Sequence, residues 1–174
     1  IEPSTGEILA LISSPSYDPN LLVGGKERSK NFTKLYYDSL NIPLFNRALT
    51  AMYPPGSIFK LIGALIAQND GLINRNTVFP CAMGYPPMGG KPKCHAHGGG
   101  KNLVGSIATS CNSYYSYVFR EIVDQKKYPK FVDGYNHWRD MVMTFGPGTK
   151  LNTDLPYDKP GNVPSVEYYN KVFG

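Results

Sequence analysis

The 174-residue sequence contains no run of 18 or more apolar residues, so no segment has the length and composition of a transmembrane helix. It has no internal repeat, which excludes solenoid and array architectures. It has no basic stripe either. The formal net charge is +5, yet Lys and Arg are scattered and the densest cluster is Lys126 and Lys127 with Lys130 nearby, so no nucleic-acid partner is expected. Only three cysteines occur, Cys81, Cys94 and Cys111, and an odd number leaves at least one outside any intramolecular disulfide. Between Thr77 and Asn102 there is no usable periodicity, only Gly, Pro, Cys and His around a few polar residues.

What is present reads as one domain or a piece of one, with 41% hydrophobic and 13% aromatic residues to build a core. Eighteen Gly and 15 Pro predict long ordered loops between helices. The opening, Ile1 to Ile12, reads as the end of one strand, a turn at Pro3 to Gly6 and a second strand, and the natural protein is expected to extend upstream. An irregular stretch is expected from Ser13 to Leu44, and a short helix within Asn46 to Tyr53. After Pro54-Pro55-Gly56, the spacing of Ile58, Leu61, Ile62, Leu65 and Ile66 predicts a helix from Ser57 to Asn69. Further helices are expected at Leu103 to Ala108, Tyr114 to Val123 and Phe131 to Phe145, with Gly146-Pro147-Gly148 as a stop and no clear last element. Tyr114 and Tyr115 are read as core ahead of a role lining a substrate groove, and Trp138 with Tyr135 and Met141 likewise as core.

Ser57 and Lys60 lie three apart at the start of the predicted helix and so share a face, where Lys60 Nζ can come within hydrogen-bond reach of Ser57 Oγ. An alcohol needs a base to become a nucleophile near neutral pH, and a lysine serves only if burial destabilises its ammonium; Ile58, Phe59 and Leu61 offer that burial. A helix start also aims backbone N–H groups at developing negative charge. Alone, S-x-x-K is usually a capped helix with a solvated lysine. A second element, Ser110-Cys111-Asn112, falls in a break between two helices fifty residues downstream, where a hydroxyl and an amide can face the first pair.

Cys81, Cys94, His95, His97 and Cys111 gather all the thiols within about thirty positions, a donor set that suits a structural Zn²⁺. The chosen ligands are Cys81, Cys94, His97 and Cys111, with His95 the substitute for His97. Such a site would hold the structureless loop and tie it to Cys111. Free thiols and a disulfide stand as the alternatives.

Pro3 to Leu11, Pro15-Ser16-Tyr17-Asp18-Pro19-Asn20, Asn46-Arg47-Ala48, Tyr53 to Ser57 and Gly161-Asn162-Val163-Pro164 together resemble the class B penicillin-binding proteins of the elongation type, the penicillin-binding protein 2 family. The resemblance runs through the whole chain. It implies an α+β fold, here the mainly helical part of a penicillin-binding-protein/β-lactamase-like transpeptidase domain, with an N-terminal β-hairpin, the C-terminal sheet strands missing, and residues 1–174 forming one domain truncated at both ends. It implies a D,D-transpeptidase that crosslinks peptidoglycan stem peptides and is acylated by β-lactams. Ser57 would be the nucleophile, Lys60 its base, Ser110 a proton relay and Asn112 the group that orients substrate and Lys60, with no cofactor for catalysis. A cell-wall glycosyltransferase partner, a membrane anchor outside this chain and a place on the periplasmic face of the bacterial inner membrane are implied by the family. The family's K-T-G motif is absent, Gly148-Thr149-Lys150 being those letters reversed, so the piece alone is expected to be inactive. A β-lactamase and a non-catalytic peptidoglycan-binding module of the same fold are the rival readings; Glu167, the one candidate for a deacylating group, is read as a surface residue.

Overall fold

The apolar spacing after Gly56 produces the expected helix, entered through a 3₁₀ turn, Gly56–Ile58, that runs directly into Phe59–Asn69. The structure is a computed structural model and describes residues 1–151 and 153–174. In chain order its α-helices are α1, Glu27–Tyr36; α2, Arg47–Thr50; α3, Phe59–Asn69; α4, Leu103–Ala108; α5, Asn112–Val123; α6, Phe131–Met143; and α7, Val166–Phe173. They divide between two compact units.

One unit comprises residues 1–53 with 153–159. Asp18 caps a 3₁₀ turn at Pro19–Leu22 by accepting the Asn20 N–H at 2.9 Å. The side chains of Arg28 and Asn31 donate from α1 to the carbonyls of Leu22 and Leu21, at 3.1 and 3.0 Å. Asn46 caps α2, and the Arg47 N–H donates to Ser13 Oγ at 2.9 Å. Neither α1 nor α2 buries a residue, so these elements rest on caps and side-chain hydrogen bonds rather than on a core. The expected N-terminal hairpin is corrected: Pro3 to Gly6 does turn, with the Glu2 N–H donating to the Glu7 carbonyl at 2.9 Å, but no strands pair beyond it. A lone two-stranded ribbon is marginal in water without a third strand or a helix to cover it. Among the described residues, strand structure is limited to two isolated antiparallel bridges, Phe79 with Lys101 and Gly84 with Lys93.

The other unit, residues 54–151 and 160–174, holds the core. Ile66 and Ala67 of α3 meet Tyr114, Val118 and Ile122 of α5 and Val142 of α6, all essentially excluded from solvent. Tyr114 and the aromatic group around Trp138 are core as read from the sequence; the Trp138 ring lies 5.3 Å from Phe119, 5.4 Å from Tyr135 and 6.1 Å from Phe59. α6 can approach the end of α5 because residue 134 is Gly: a Cβ there would land on the Val123 carbonyl. The Asp70 side chain, just past α3, is buried; it accepts from Gln125 Nε2 at 3.0 Å and contacts His137 Nε2 at 2.7 Å, tying the C-terminal ends of α3 and α5 to the middle of α6. Tyr135 Oη and Arg139 Nε donate to the carbonyls of Pro164 and Val163, pinning the segment that leads into α7. Residues 77–102 form a long loop with one 3₁₀ turn, as the missing periodicity implied.

Candidate functional site

Gly56 adopts φ +63, a left-handed conformation open to glycine, and turns the chain so that Ser57 stands exposed at the head of α3 with Lys60 one turn further in. Facing them is the junction of α4 and α5. Ser110 there is a non-glycine residue at φ 50, a conformation that costs about 1 kcal/mol or more. The strained geometry aims both the carbonyl and the hydroxyl of Ser110 at one point. That point is Lys60 Nζ, which donates to the Ser110 carbonyl at 2.7 Å, to Ser110 Oγ at 2.9 Å and to Asn112 Oδ1 at 2.6 Å. Asn112 is held in turn by its Nδ2, which donates to the Lys93 carbonyl at 2.7 Å.

The structure brings all four sequence-predicted residues together, but not in the expected order of contacts. An ammonium has three protons, and all three of Lys60's go to Ser110 and Asn112, leaving none for Ser57. Ser57 Oγ instead meets Ser110 Oγ at 2.9 Å. Lys60 therefore reaches Ser57 through Ser110. Burial holds the Lys60 amine below the ordinary lysine range, while negative charge on Cys94 and Cys111 pulls it back upward. Ser57, Lys60 and Ser110 line a cleft of about 270 Å³ together with Tyr115, whose ring lies 5.6 Å from Lys60 Nζ. Tyr115 is half-buried, packing against the core as read from the sequence while its ring also lines the cleft; Tyr114 beside it is fully buried. The spacing contained the signal, since Asn112 and Tyr115 lie three apart and share one face of α5.

Directly behind this pair lies the sulfur cluster. Cys81, Cys94, His97 and Cys111 place their ligand atoms all within 4.8 Å of one another. Cys81 Sγ is 3.6 Å from Cys94 Sγ and 3.8 Å from His97 Nε2, and Cys94 Sγ is 3.9 Å from Cys111 Sγ. His95 is exposed and outside the group. No disulfide joins the thiols, all three being free. Two N–H groups of the first turn of α5 point at sulfur, Ser113 to Cys94 at 3.3 Å and Tyr114 to Cys111 at 3.4 Å. Burial works to raise the Cys94 thiol, but the Ser113 N–H and the neighbouring thiols outweigh it and bring it below the ordinary range. Burial pushes Cys111 up to about 11, and charge on Cys94 adds to the rise.

A serine and a lysine at the head of α3 thus meet a serine and an asparagine at the junction of α4 and α5. Residues 1–173 match the family described as "Penicillin binding protein transpeptidase domain", and the chain belongs to that family. It is similar to the peptidoglycan D,D-transpeptidase MrdA of Escherichia coli strain K12, with 34% identity over 177 residues, 99% of this chain and 26% of that protein. Its fold is similar to the crystal structure of Pseudomonas aeruginosa PBP2 in complex with WCK 5153, at TM-score 0.80 and 31% identity over 98% of this chain and 37% of that one. It is also similar to penicillin-binding protein A from M. tuberculosis in its penicillin G acyl-enzyme complex, at TM-score 0.69 and 30% identity, covering 86% and 33% of the two chains. The chain spans about a quarter of the length of the curated relative it matches.

Proposed function

We propose that this chain carries the nucleophile and proton-transfer half of a D,D-transpeptidase that crosslinks peptidoglycan stem peptides through a serine acyl-enzyme and is acylated by β-lactams. The observation that carries the reading is the continuous hydrogen-bond chain from Lys60 through Ser110 to Ser57. In the neutral-amine form of Lys60, the Ser57 Oγ–H passes its proton to Ser110 Oγ, and Ser110 passes its own to Nζ. Ser57 Oγ then bonds to the carbonyl carbon of the penultimate D-Ala, and the bond to the terminal D-Ala nitrogen breaks as Ser110 returns a proton to that amine. An amino group of a second stem peptide attacks the ester, giving up its proton along the same route and releasing Ser57. Asn112 fixes Lys60 through Oδ1. The position of Ser57 at the head of α3 gives the developing oxyanion the positive end of the helix.

The remaining wall of the site would come from a K-T-G strand, which this sequence lacks; Gly148-Thr149-Lys150 lies in the turn after α6, where Thr149 Oγ1 donates to the Gly146 carbonyl at 2.7 Å. The piece by itself is therefore expected to be inactive. In the whole protein the reaction takes place on the periplasmic face of the inner membrane, in cell elongation, with an anchor outside this chain and a glycosyltransferase partner supplying new strands.

A structural Zn²⁺ on Cys81, Cys94, His97 and Cys111 belongs to the same proposal, with no part in the chemistry. The donor set fits: tetrahedral zinc with bonds near 2.3 Å sets sulfurs about 3.8 Å apart, and the observed contacts are 3.6 and 3.9 Å. His97 Nε2 lies 3.8 Å from Cys81 Sγ, a spacing that two ligands of one tetrahedral zinc can share. The Ser113 N–H aimed at Cys94 favours its thiolate, the form that binds metal.

Intact mass of the full-length protein after incubation with a penicillin tests the catalytic reading. One covalent adduct is expected, and none in Ser57→Ala. An adduct that survives this substitution contradicts it.

A further inference from the structure

We propose that Tyr115 is a positioning residue for Lys60, its ring closing the side of the ammonium that the three hydrogen bonds leave open. The inference rests on the reading of Lys60 as the group that takes the Ser57 proton. Lys60 Nζ is surrounded on three sides by oxygens, the Ser110 carbonyl, Ser110 Oγ and Asn112 Oδ1. The Tyr115 ring lies 5.6 Å from Nζ, within the range over which the negative face of an aromatic ring attracts a cation. Such an attraction is stronger at a site largely removed from water than at an exposed one.

The ring is fixed from behind. Tyr115 Oη lies 3.4 Å from Ser106 Oγ, and Ser106 is fully buried. Ser106 Oγ also reaches the Leu103 carbonyl at 2.7 Å, which holds this hydroxyl in place. The edge of Tyr114, a fully buried ring 5.4 Å away, packs against the same residue. α5 thus delivers two groups to one ammonium from positions three apart, an acceptor at Asn112 and a π face at Tyr115. Fixing an amine this way holds its lone pair toward Ser110 Oγ when it is neutral and stabilises the charge it acquires when it takes the proton.

The division of labour within Tyr115 follows: the ring acts on Lys60, and the hydroxyl only anchors the ring. In full-length protein, acylation by a fluorescent penicillin is resolved into the noncovalent binding constant and the acylation rate constant at saturation. Tyr115→Phe keeps the rate constant within about twofold. Tyr115→Leu, which keeps apolar bulk but has no π face, lowers it about 5- to 20-fold with the binding constant unchanged, the size expected of a desolvated cation–π contact. Replacing Tyr115 by phenylalanine carrying three ring fluorines keeps the shape and weakens the negative face; its rate constant falls below that of Tyr115→Phe. This second comparison carries the test if Tyr115→Leu fails to fold. Equal rate constants for the fluorinated and ordinary phenylalanine variants, or for Tyr115→Leu and wild type, overturn the proposal while leaving Ser57 as the nucleophile. An adduct that persists in Ser57→Ala overturns both.

Discussion

Ser110 Oγ lies 2.9 Å from Ser57 Oγ across 53 positions of sequence, and it is the group through which the lysine of the first motif touches the serine of the same motif. Removing that hydroxyl therefore does more than disable a leaving-group donor. Ser110→Ala should slow acylation by a β-lactam about 10²-fold or more, because the proton of Ser57 loses its route to Lys60. Lys60→Ala should cost a similar amount. The double variant should be little worse than either single one, since the two residues act as one unit. Stopped-flow or quench-flow acylation rates check this; additive losses would mean that Lys60 and Ser110 act on Ser57 separately.

Metal analysis of protein purified without added zinc should find about one Zn²⁺ per chain. His97→Ala and Cys111→Ser should each lose it, and a strong chelator should lower the Tm by more than about 5 °C. Cys111 sits between Ser110 and Asn112, so loss of metal should also slow acylation. Zinc near zero, with three thiols that react freely with a thiol reagent, would contradict the ligand assignment.

The Asp70 contact predicts an acid-sensitive core. Burial alone would raise the Asp70 carboxyl, but hydrogen bonds from His137 and Gln125 outweigh it and hold the group below the ordinary Asp value. A depressed carboxyl stabilises the fold above its unfolded pKa of about 3.9, and that contribution disappears as pH falls through the lower folded value. Asp70→Asn should thus destabilise at neutral pH, by about 1–3 kcal/mol for an impaired buried hydrogen-bond pair, and the gap from wild type should narrow below about pH 4. Denaturant melts from pH 3 to pH 7 measure this; a constant gap would show that Asp70's ionisation contributes nothing.

At Gly134 the close approach of α6 to the Val123 carbonyl leaves no room for a methyl group. Gly134→Ala gains helix propensity but must push two backbones apart, and the net effect should be a loss of about 1–3 kcal/mol. A thermal melt showing an unchanged or raised Tm would mean that the helices part without cost.

The helices that build the core were legible because Ile58 to Ile66 and Tyr115 to Ile122 carry apolar periodicity, the signal that tertiary packing uses. α1 and α7 have amphipathic spacing too, but neither buries a residue. α1 buries nothing, and its stability comes from side chains such as Arg28 and Asn31 reaching backbone carbonyls ten residues away or fewer. α7 is only eight residues long and follows a Pro-punctuated stretch; Ser165 caps it by accepting the Tyr168 N–H at 3.2 Å, with Glu167 in its first turn and Lys171 in its last. At the site, motif spacing together with the family resemblance singled out Ser57, Lys60, Ser110 and Asn112 as candidates, and the fold brings the four together. The spacing could not say which acceptors Lys60 would choose. Helical adjacency puts Lys60 on Ser57's face, but a carbonyl, a hydroxyl and an amide oxygen within 2.9 Å take all its protons. Ligand chemistry suits His95 and His97 alike, so only the direction of the loop decides between them, and it is His97 that turns inward.

The central claim is that Ser57 forms the acyl-enzyme. Its most direct test is peptide mapping of full-length protein trapped with a penicillin, digested under acid conditions that preserve the ester. The account predicts the added mass on the peptide containing Ser57, fragmenting to Ser57 itself. A mass carried by the peptide containing Ser110, or by any other residue, would contradict it.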